Sequence, residues 1–204
     1  MLISLIFSGL SGLVTFIFLI PIILVSLSFH EFGHAFVAKL YGDDTAEKQG
    51  RVTLNPLKHI DIKGFLFMLI FGIGWAKPVP ITVWKFKNLK QGYLAVSLAG
   101  IVCNIILSFI FCLIAFNSNS YFLKEFCKIA ATINANLALF NLLPIFPMDG
   151  GRILESLWVG GRNVSKWLEK NNLVAIGLAI FSAFYIIPFL FENSFASIIR
   201  FFCA

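Results

Sequence analysis

Long apolar runs joined by short polar connections make up most of the chain. The first run covers residues 2–41 and is interrupted only by Pro21 and by a cluster of histidine and glutamate. Further runs cover 92–116, 129–147 and about 172–191. A membrane-spanning helix needs about 20 apolar residues, so these runs predict an all-α polytopic membrane protein with a bundle of about four to six transmembrane helices.

Two stretches after the first run do not fit a spanning helix. Residues 64–75 are too short and too rich in glycine to cross a bilayer comfortably. Residues 76–88 contain two prolines among alternating apolar side chains, which favours a strand or hairpin over a helix. We therefore expect a re-entrant segment and a β-hairpin between the first helix and the span at 92–116.

Proline and glycine mark the two ends of the first helix. Pro21 suits the first turn of a helix and Gly42 suits its end, so we expect a helix from about Pro21 to Tyr41. Residues 2–20 form either a separate span or a kinked extension of this helix, and the pattern leaves both open.

The composition agrees with a membrane protein. Of the 204 residues, 59% are hydrophobic and 13% are charged, and 24 are phenylalanine. A soluble domain is nearer about half apolar and a quarter charged, so lipid is the solvent that this composition fits. We expect residues 1–204 to form a single membrane-embedded domain.

Basic residues gather in the polar connections, and the net charge is +6. Lysine and arginine number five in 39–63, four in 77–90, four in 152–170 and two in 117–128. If 64–76 dips into the membrane and returns, the three richer connections share one side, which the positive-inside rule makes cytoplasmic. No basic stripe interleaved with aromatic residues is present, so the charge does not indicate a nucleic-acid partner.

The most informative short motif, H-E-F-G-H at 30–34, lies inside the first apolar run. His30 and His34 share one face of a helix, one turn apart, so both imidazoles can reach a single Zn²⁺ at about 2.0–2.1 Å. Glu31 lies about 100° round the helix, where it can take a proton from a zinc-bound water without being a ligand. Ionisable groups at membrane depth are costly, which favours a functional site over a packed polar core.

A catalytic zinc usually has three protein ligands and keeps one position for water. The only other histidine is His59, so a carboxylate is the natural third ligand. Asp149 stands out because it ends an apolar run and is followed by two glycines, which let the backbone approach closely.

Four motifs in this order carry a resemblance to a known family. They are H-E-F-G-H at 30–34, GRVTLNPLKHID at 50–61, GWAKPVPI at 74–81 and NLLPIFPMDGGR at 141–152. The chain resembles the site-2 proteases, which are intramembrane zinc metalloproteases, in the small form that lacks a PDZ domain. The catalytic core that this resemblance implies covers about 22–155.

The resemblance implies a role for each matching residue. His30, His34 and Asp149 would bind one zinc ion per chain, and Glu31 would be the general base. Asn141 would be a nearby polar group that contacts the substrate backbone or the oxyanion, which an amide donor can stabilise.

Two departures from the family pattern affect the interpretation. Met148 stands where the family often has leucine, a mild change between apolar residues. The family often has G-P-x-x-N in the third span, but this chain has Ile101 in place of the proline, so Asn104 is left out of the predicted site. His59 matches the family pattern, and it either lines the site or stabilises the connection.

The predicted function is regulated intramembrane proteolysis, with a transmembrane protein substrate and the lipid bilayer as partners. The predicted location is a bacterial inner membrane, crossed several times. A transporter using the same residues would tend to show internal repeats, and none is found in the sequence. An inactive scaffold would have no use for His30, Glu31, His34 and Asp149 together.

Overall fold

The computed structural model describes residues 10–71, 74–158 and 160–181. Within these ranges the chain is helical and contains no β-strand. The α-helices are α1 Leu10–Leu40, α2 Thr45–Lys48, α3 Ile62–Phe71, α4 Leu89–Asn117, α5 Tyr121–Leu142, α6 Asp149–Leu157, α7 Gly161–Lys170 and α8 Asn172–Phe181. Short 3-10 turns cover Pro56–Lys58 and Val83–Lys85.

Helix α1 begins earlier than the sequence predicts, and it ends within one residue of the predicted end. It runs without a break through Pro21, so residues 10–20 extend the helix and do not form a separate span. Gly42 has a φ of 102°. Its N–H donates to Lys39 O at 3.0 Å and the Asp43 N–H donates to Ala38 O at 2.9 Å. These two hydrogen bonds form a Schellman motif, which explains why the helix ends at a glycine.

Helix α4 lies at the centre of the fold, where it packs against α1, α5 and α6. Small residues allow the close approach: a Cβ on Gly33 of α1 would lie 2.9 Å from Ala99 O of α4. Between α4 and α5 a buried cluster contains Cys112, Ala115, Cys127 and Ala131. The cysteines of this cluster pack as small apolar residues.

Two helices in the described ranges are long and apolar enough to cross a membrane, Ile17–Leu40 and Leu89–Asn117. The outer face of α4 exposes a stripe of large apolar side chains that suits contact with lipid, including Val102, Ile105, Ile106, Phe109, Ile110 and Leu113. Helix α5 covers most of the predicted span 129–147 but is not among these two. The predicted span 172–191 begins with α8 and then leaves the described residues.

The connection between α1 and α4 contains a short helix and one β-bridge where the sequence predicts a re-entrant hairpin. Helix α3 has ten residues, roughly 15 Å, and is too short to cross a bilayer. Ile60 and Ala76 form one antiparallel bridge, and the Lys77 N–H donates to His59 O at 2.8 Å. Within the described ranges the hairpin pairing is limited to this bridge.

Candidate metal centre

Three side chains from two helices converge at one point in the protein interior. His30 and His34 lie one turn apart on α1, and Asp149 is the first residue of α6. Their exposed fractions are 5%, 4% and 5%. The two Nε2 atoms are 3.1 Å apart, and Asp149 Oδ2 lies 3.2 Å from His30 Nε2 and 3.1 Å from His34 Nε2. The fold thus brings together the three ligands that the sequence predicts.

Helix α4 fixes the orientation of both imidazole rings. His30 Nδ1 lies 2.7 Å from Asn104 Oδ1, and His34 Nδ1 lies 2.7 Å from Val96 O. Both partners are oxygen acceptors, so each Nδ1 carries the proton and donates it. The Nε2 atom of each ring is then left with a lone pair, which is the tautomer that a metal-binding histidine needs.

The convergence therefore places two nitrogen lone pairs and a carboxylate oxygen against one another. Asp149 Oδ2 is buried and has no hydrogen-bond partner in the described part of the chain. Three facing acceptors without a donor are stabilised by a cation. Two atoms bound to one zinc at about 2.0–2.1 Å can be up to about 4.2 Å apart, so the observed separations fit a single ion. The histidine and carboxylate donor set also suits zinc.

Asp149 reaches the histidines because the chain turns sharply after α5. The helix ends at Leu142, and residues 143–148 form a non-helical turn that contains two prolines. Proline cannot continue a helix interior without losing a hydrogen bond, which accounts for the break. A Cβ on Gly150 would collide with Leu142 O, so the glycine after Asp149 is required for the close approach of the backbone.

Gly100 of α4 faces the two imidazoles, a position that the sequence does not reveal. A Cβ at Gly100 would lie 2.5 Å from His34 Nε2 and 2.6 Å from His30 Cε1. Real Cβ atoms do not approach other atoms this closely. The absence of a side chain at this residue leaves room for the two rings.

Asn104 is the second residue that the sequence analysis leaves out and the structure brings in. It is fully buried, and besides its contact with His30 its Nδ2 donates to Asn134 Oδ1 at 2.9 Å and to Ser26 O at 3.3 Å. Asn134 Nδ2 donates in turn to Ser26 Oγ at 2.9 Å. These three residues link α1, α4 and α5 behind His30. A polar amide inside an apolar run indicates a functional position. This signal marks Asn104 even though the proline of the family pattern is absent.

Glu31 lies beside the converging side chains and is not one of them. Its Oε2 accepts a hydrogen bond from the Val79 N–H at 3.0 Å. Val79 belongs to the segment 74–82, which connects α3 to the 3-10 turn before α4. The carboxylate is therefore held from one side by backbone that does not belong to its own helix.

Buried Arg51 and His59 fix the segment that contacts Glu31. The Arg51 guanidinium donates to Lys77 O at 2.5 Å and to Pro78 O at 3.2 Å. His59 Nε2 lies 2.8 Å from Thr53 O, and burial lowers the pKa of His59, which favours the neutral imidazole. Of the two roles left open for His59, this geometry supports the structural one.

The structure places Asn141 in the last turn of α5. Its side chain is half-buried, and its Nδ2 donates to Leu137 O at 2.9 Å within the same helix. No hydrogen bond joins it to His30, His34 or Asp149 in the portion of the chain that the structure covers. Its contact with substrate stays a prediction.

The chain is similar to proteins that are named as zinc metalloproteases. The model of a family described as Peptidase family M50 matches residues 117–184, the part of the chain that contains Asp149. A Bacillus subtilis protein named "Putative zinc metalloprotease YwhC" is 39% identical over 181 residues, which are 84% of this chain and 81% of that protein. The chain belongs to peptidase family M50. The M50 membership confirms the predicted resemblance and the predicted class of enzyme, a metalloprotease.

Two other relatives have lower sequence identity to the chain. "Zinc metalloprotease MJ0392" of Methanocaldococcus jannaschii is 29% identical over 140 residues, which are 67% of this chain and 33% of that protein. "Putative zinc metalloprotease Rip2" of Mycolicibacterium smegmatis is 33% identical over 161 residues, which are 72% of this chain and 59% of that protein. No solved structure matches the chain significantly.

Proposed function

We propose that the chain is a zinc-dependent intramembrane endopeptidase, which hydrolyses a peptide bond in or near a transmembrane segment of a substrate protein. The observation that carries this proposal is the convergence of three buried acceptor atoms, His30 Nε2, His34 Nε2 and Asp149 Oδ2, at separations of 3.1–3.2 Å. These three residues would hold one zinc ion per chain. When bound, zinc would polarise the substrate carbonyl and acidify water.

Glu31 is the general base in this proposal. It follows His30 directly in α1 and its Oε2 is held by the Val79 N–H at 3.0 Å, so the carboxylate stays beside the metal ligands. Glu31 accepts a proton from the attacking water and then passes it to the amine that leaves when the peptide bond breaks. Asn141 donates its amide N–H to the substrate backbone or the oxyanion once the substrate displaces its bond to Leu137.

The position of the ligands supports a substrate inside the membrane. His30 lies near the middle of the apolar helix Ile17–Leu40, roughly 15 Å from its nearer end. A peptide bond must reach that depth, which a transmembrane segment of another protein does. The exposed backbone of an opened substrate helix would pair with the segment 74–82, as strand addition requires.

The same proposal includes the architecture around the site. Residues 22–155 would be the catalytic core of one membrane domain, residues 1–204, with four to six spans and a re-entrant segment at 64–75. Relatives in Bacillus subtilis and Mycolicibacterium smegmatis support a bacterial cell membrane as the location. The basic connections would face the cytoplasm.

The test compares the purified wild type with Glu31→Gln and with a matched control, Glu47→Gln. Glu47 is an exposed carboxylate that pairs with Lys39, so its substitution removes the same charge far from the ligands. Bound zinc is measured by elemental analysis, and cleavage is measured on a panel of single-span membrane proteins. We expect about one zinc per chain in all three, with cleavage lost only in Glu31→Gln.

Two results would contradict the proposal in different ways. A wild type that binds no zinc would show that the three converging residues are not ligands. Zinc-dependent cleavage that survives in Glu31→Gln would leave the protease intact and remove Glu31 as its base.

A further inference from the structure

A cavity of about 180 Å³ has, in its lining, residues that contact Glu31, His34 and Asp149. One wall consists of Val79 and Ile81, at the spacing of one face of an extended chain, and of Val83, the first residue of the following 3-10 turn. The rest of the lining comes from Tyr93, Val96 and Ser97 of α4 and from Arg152 of α6. Three different parts of the fold therefore border the cavity, which is partly open to the surface.

Each of these three parts is bonded to the site. The Val79 N–H donates to Glu31 Oε2 at 3.0 Å. Val96 O accepts from His34 Nδ1 at 2.7 Å. Arg152 pairs with the second carboxylate oxygen of Asp149 at 3.6 Å. When a substrate chain places its scissile bond at the three predicted metal ligands, a side chain next to that bond can reach this cavity.

The chemistry of the lining identifies the side chain that fits. Four of the seven lining residues are aliphatic, and the polar ones already have partners. Ser97 Oγ donates to Tyr93 O, Tyr93 Oη donates to Glu155, and Arg152 pairs with Asp149. An apolar cavity of about 150 Å³ in another protein accepts benzene, so this volume is enough for a branched aliphatic side chain or one aromatic ring.

We propose that this cavity is the subsite that selects the substrate, by binding one large apolar side chain, leucine or phenylalanine in size, beside the scissile bond. This inference rests on the proposed protease function. Val83 lies at the end of the wall that is farthest in sequence from the contact with Glu31. In this proposal Val83 is a residue that determines specificity.

The test uses a model single-span protein whose apolar segment is rich in alanine and glycine, with one position at a time changed to alanine, leucine, phenylalanine or tryptophan. The wild type should show one position beside the cleaved bond where leucine or phenylalanine raises kcat/KM. In Val83→Phe the cavity is filled, and the leucine-to-alanine ratio of kcat/KM should fall by about 10- to 200-fold. In Val83→Ala the cavity is larger, and tryptophan should become acceptable.

The matched control is Trp84→Ala. Trp84 is the next residue in the same turn, is 81% exposed and does not line the cavity, so its substitution should leave the leucine-to-alanine ratio unchanged. Zinc content, expected near one per chain in every variant, checks that the fold persists. A ratio that Val83→Phe and Trp84→Ala change equally would overturn the subsite.

A second measurement does not depend on turnover. Val83→Cys is combined with Glu31→Gln, and a cysteine is scanned along the substrate segment under mild oxidation. Disulfide cross-links should concentrate at the position where size matters, and Trp84→Cys should show no such maximum. Cross-links spread evenly along the segment would overturn the subsite while leaving the protease in place. A wild type that cleaves no member of the panel would overturn the protease function and the subsite together.

Discussion

Two polar networks of this chain lie in opposite environments. Ser26, Asn104 and Asn134 are buried between apolar helices, carry no charge and bond to one another and to His30. At the surface connection, Asp44 forms ion pairs with Lys48 at 2.5 Å and with Lys85 at 2.6 Å, and all three side chains are partly exposed.

The contrast shows which contacts the site depends on. Water can replace a lost partner in the surface network, and exposed ion pairs contribute little to stability. Nothing replaces a partner between the helices, so a buried amide or imidazole that loses its bond is left unsatisfied. The neutral network therefore matters more than the charged one, although the charged one has the shorter contacts.

The largest expected effect comes from Gly100→Ala, next to the buried network. A Cβ there would lie 2.5 Å from His34 Nε2, so the imidazoles must move away from the position at which they meet Asp149. Alanine is a better helix former than glycine, so the substitution does not weaken α4 itself. We expect zinc content to fall from about one per chain to near zero, measured by elemental analysis.

Gly177→Ala is the control for this prediction. Gly177 lies in α8 and a Cβ there would meet no atom within 4 Å, so zinc content should not change. Full zinc occupancy in Gly100→Ala would mean that the two imidazoles do not need the space that the glycine leaves.

The next effect in size is expected from Asn104→Leu. It removes the acceptor that orients His30 and leaves the His30 Nδ1–H and the Asn134 Oδ1 atom without these partners. Loss of such an outer partner typically weakens metal binding by about 10- to 100-fold, and we expect a rise of that size in the Kd for zinc, measured by competition with a chelator.

Asn117→Leu is the matched control, because Asn117 is an exposed amide at the end of the same helix and its Nδ2 donates to Leu113 O. The unfolding temperature of the zinc-free protein is measured alongside. If Asn104→Leu lowers that temperature but leaves the Kd for zinc unchanged, Asn104 supports the helices and does not position His30.

The sequence was sufficient for the parts of the site that local patterns encode. The spacing of His30 and His34, the helix end at Gly42 and the isolated carboxylate of Asp149 all follow from neighbouring residues. Asn104 lies 74 residues from its partner His30, and no local pattern gives such a contact. The packing of the helices determines this contact. The role of Gly100 likewise depends on how α4 packs against α1.

The fold was predictable to a similar extent. Apolar runs indicated helical spans, and α4 was predicted within a few residues. The continuation of α1 through Pro21 was not predicted, because proline is compatible both with a helix start and with a continuing helix whose hydrogen bonds are satisfied elsewhere. The sequence predicts a strand or hairpin over residues 76–88, but the hydrogen bonds of residues 77–82 within the described ranges go mainly to side chains such as Glu31, Arg51 and Asp43.

The smallest effect is expected from Asp44→Asn in the surface network, and pH reveals it. Hydrogen bonds from Lys48 and Lys85 lower the pKa of Asp44 from 3.8 to about 2 in the folded chain. A carboxyl whose pKa is lower when folded stabilises the fold above its unfolded pKa and loses that contribution as pH falls through the folded pKa. The wild type and Asp44→Asn should therefore differ slightly in unfolding temperature near pH 7, and the difference should vanish between about pH 4 and pH 2. Lys48→Gln removes one partner and leaves the pKa of Asp44 less lowered, so in that variant the difference should be smaller and should vanish at a higher pH. A difference that persists at pH 2 would show that the Asp44 side chain acts through something other than its charge.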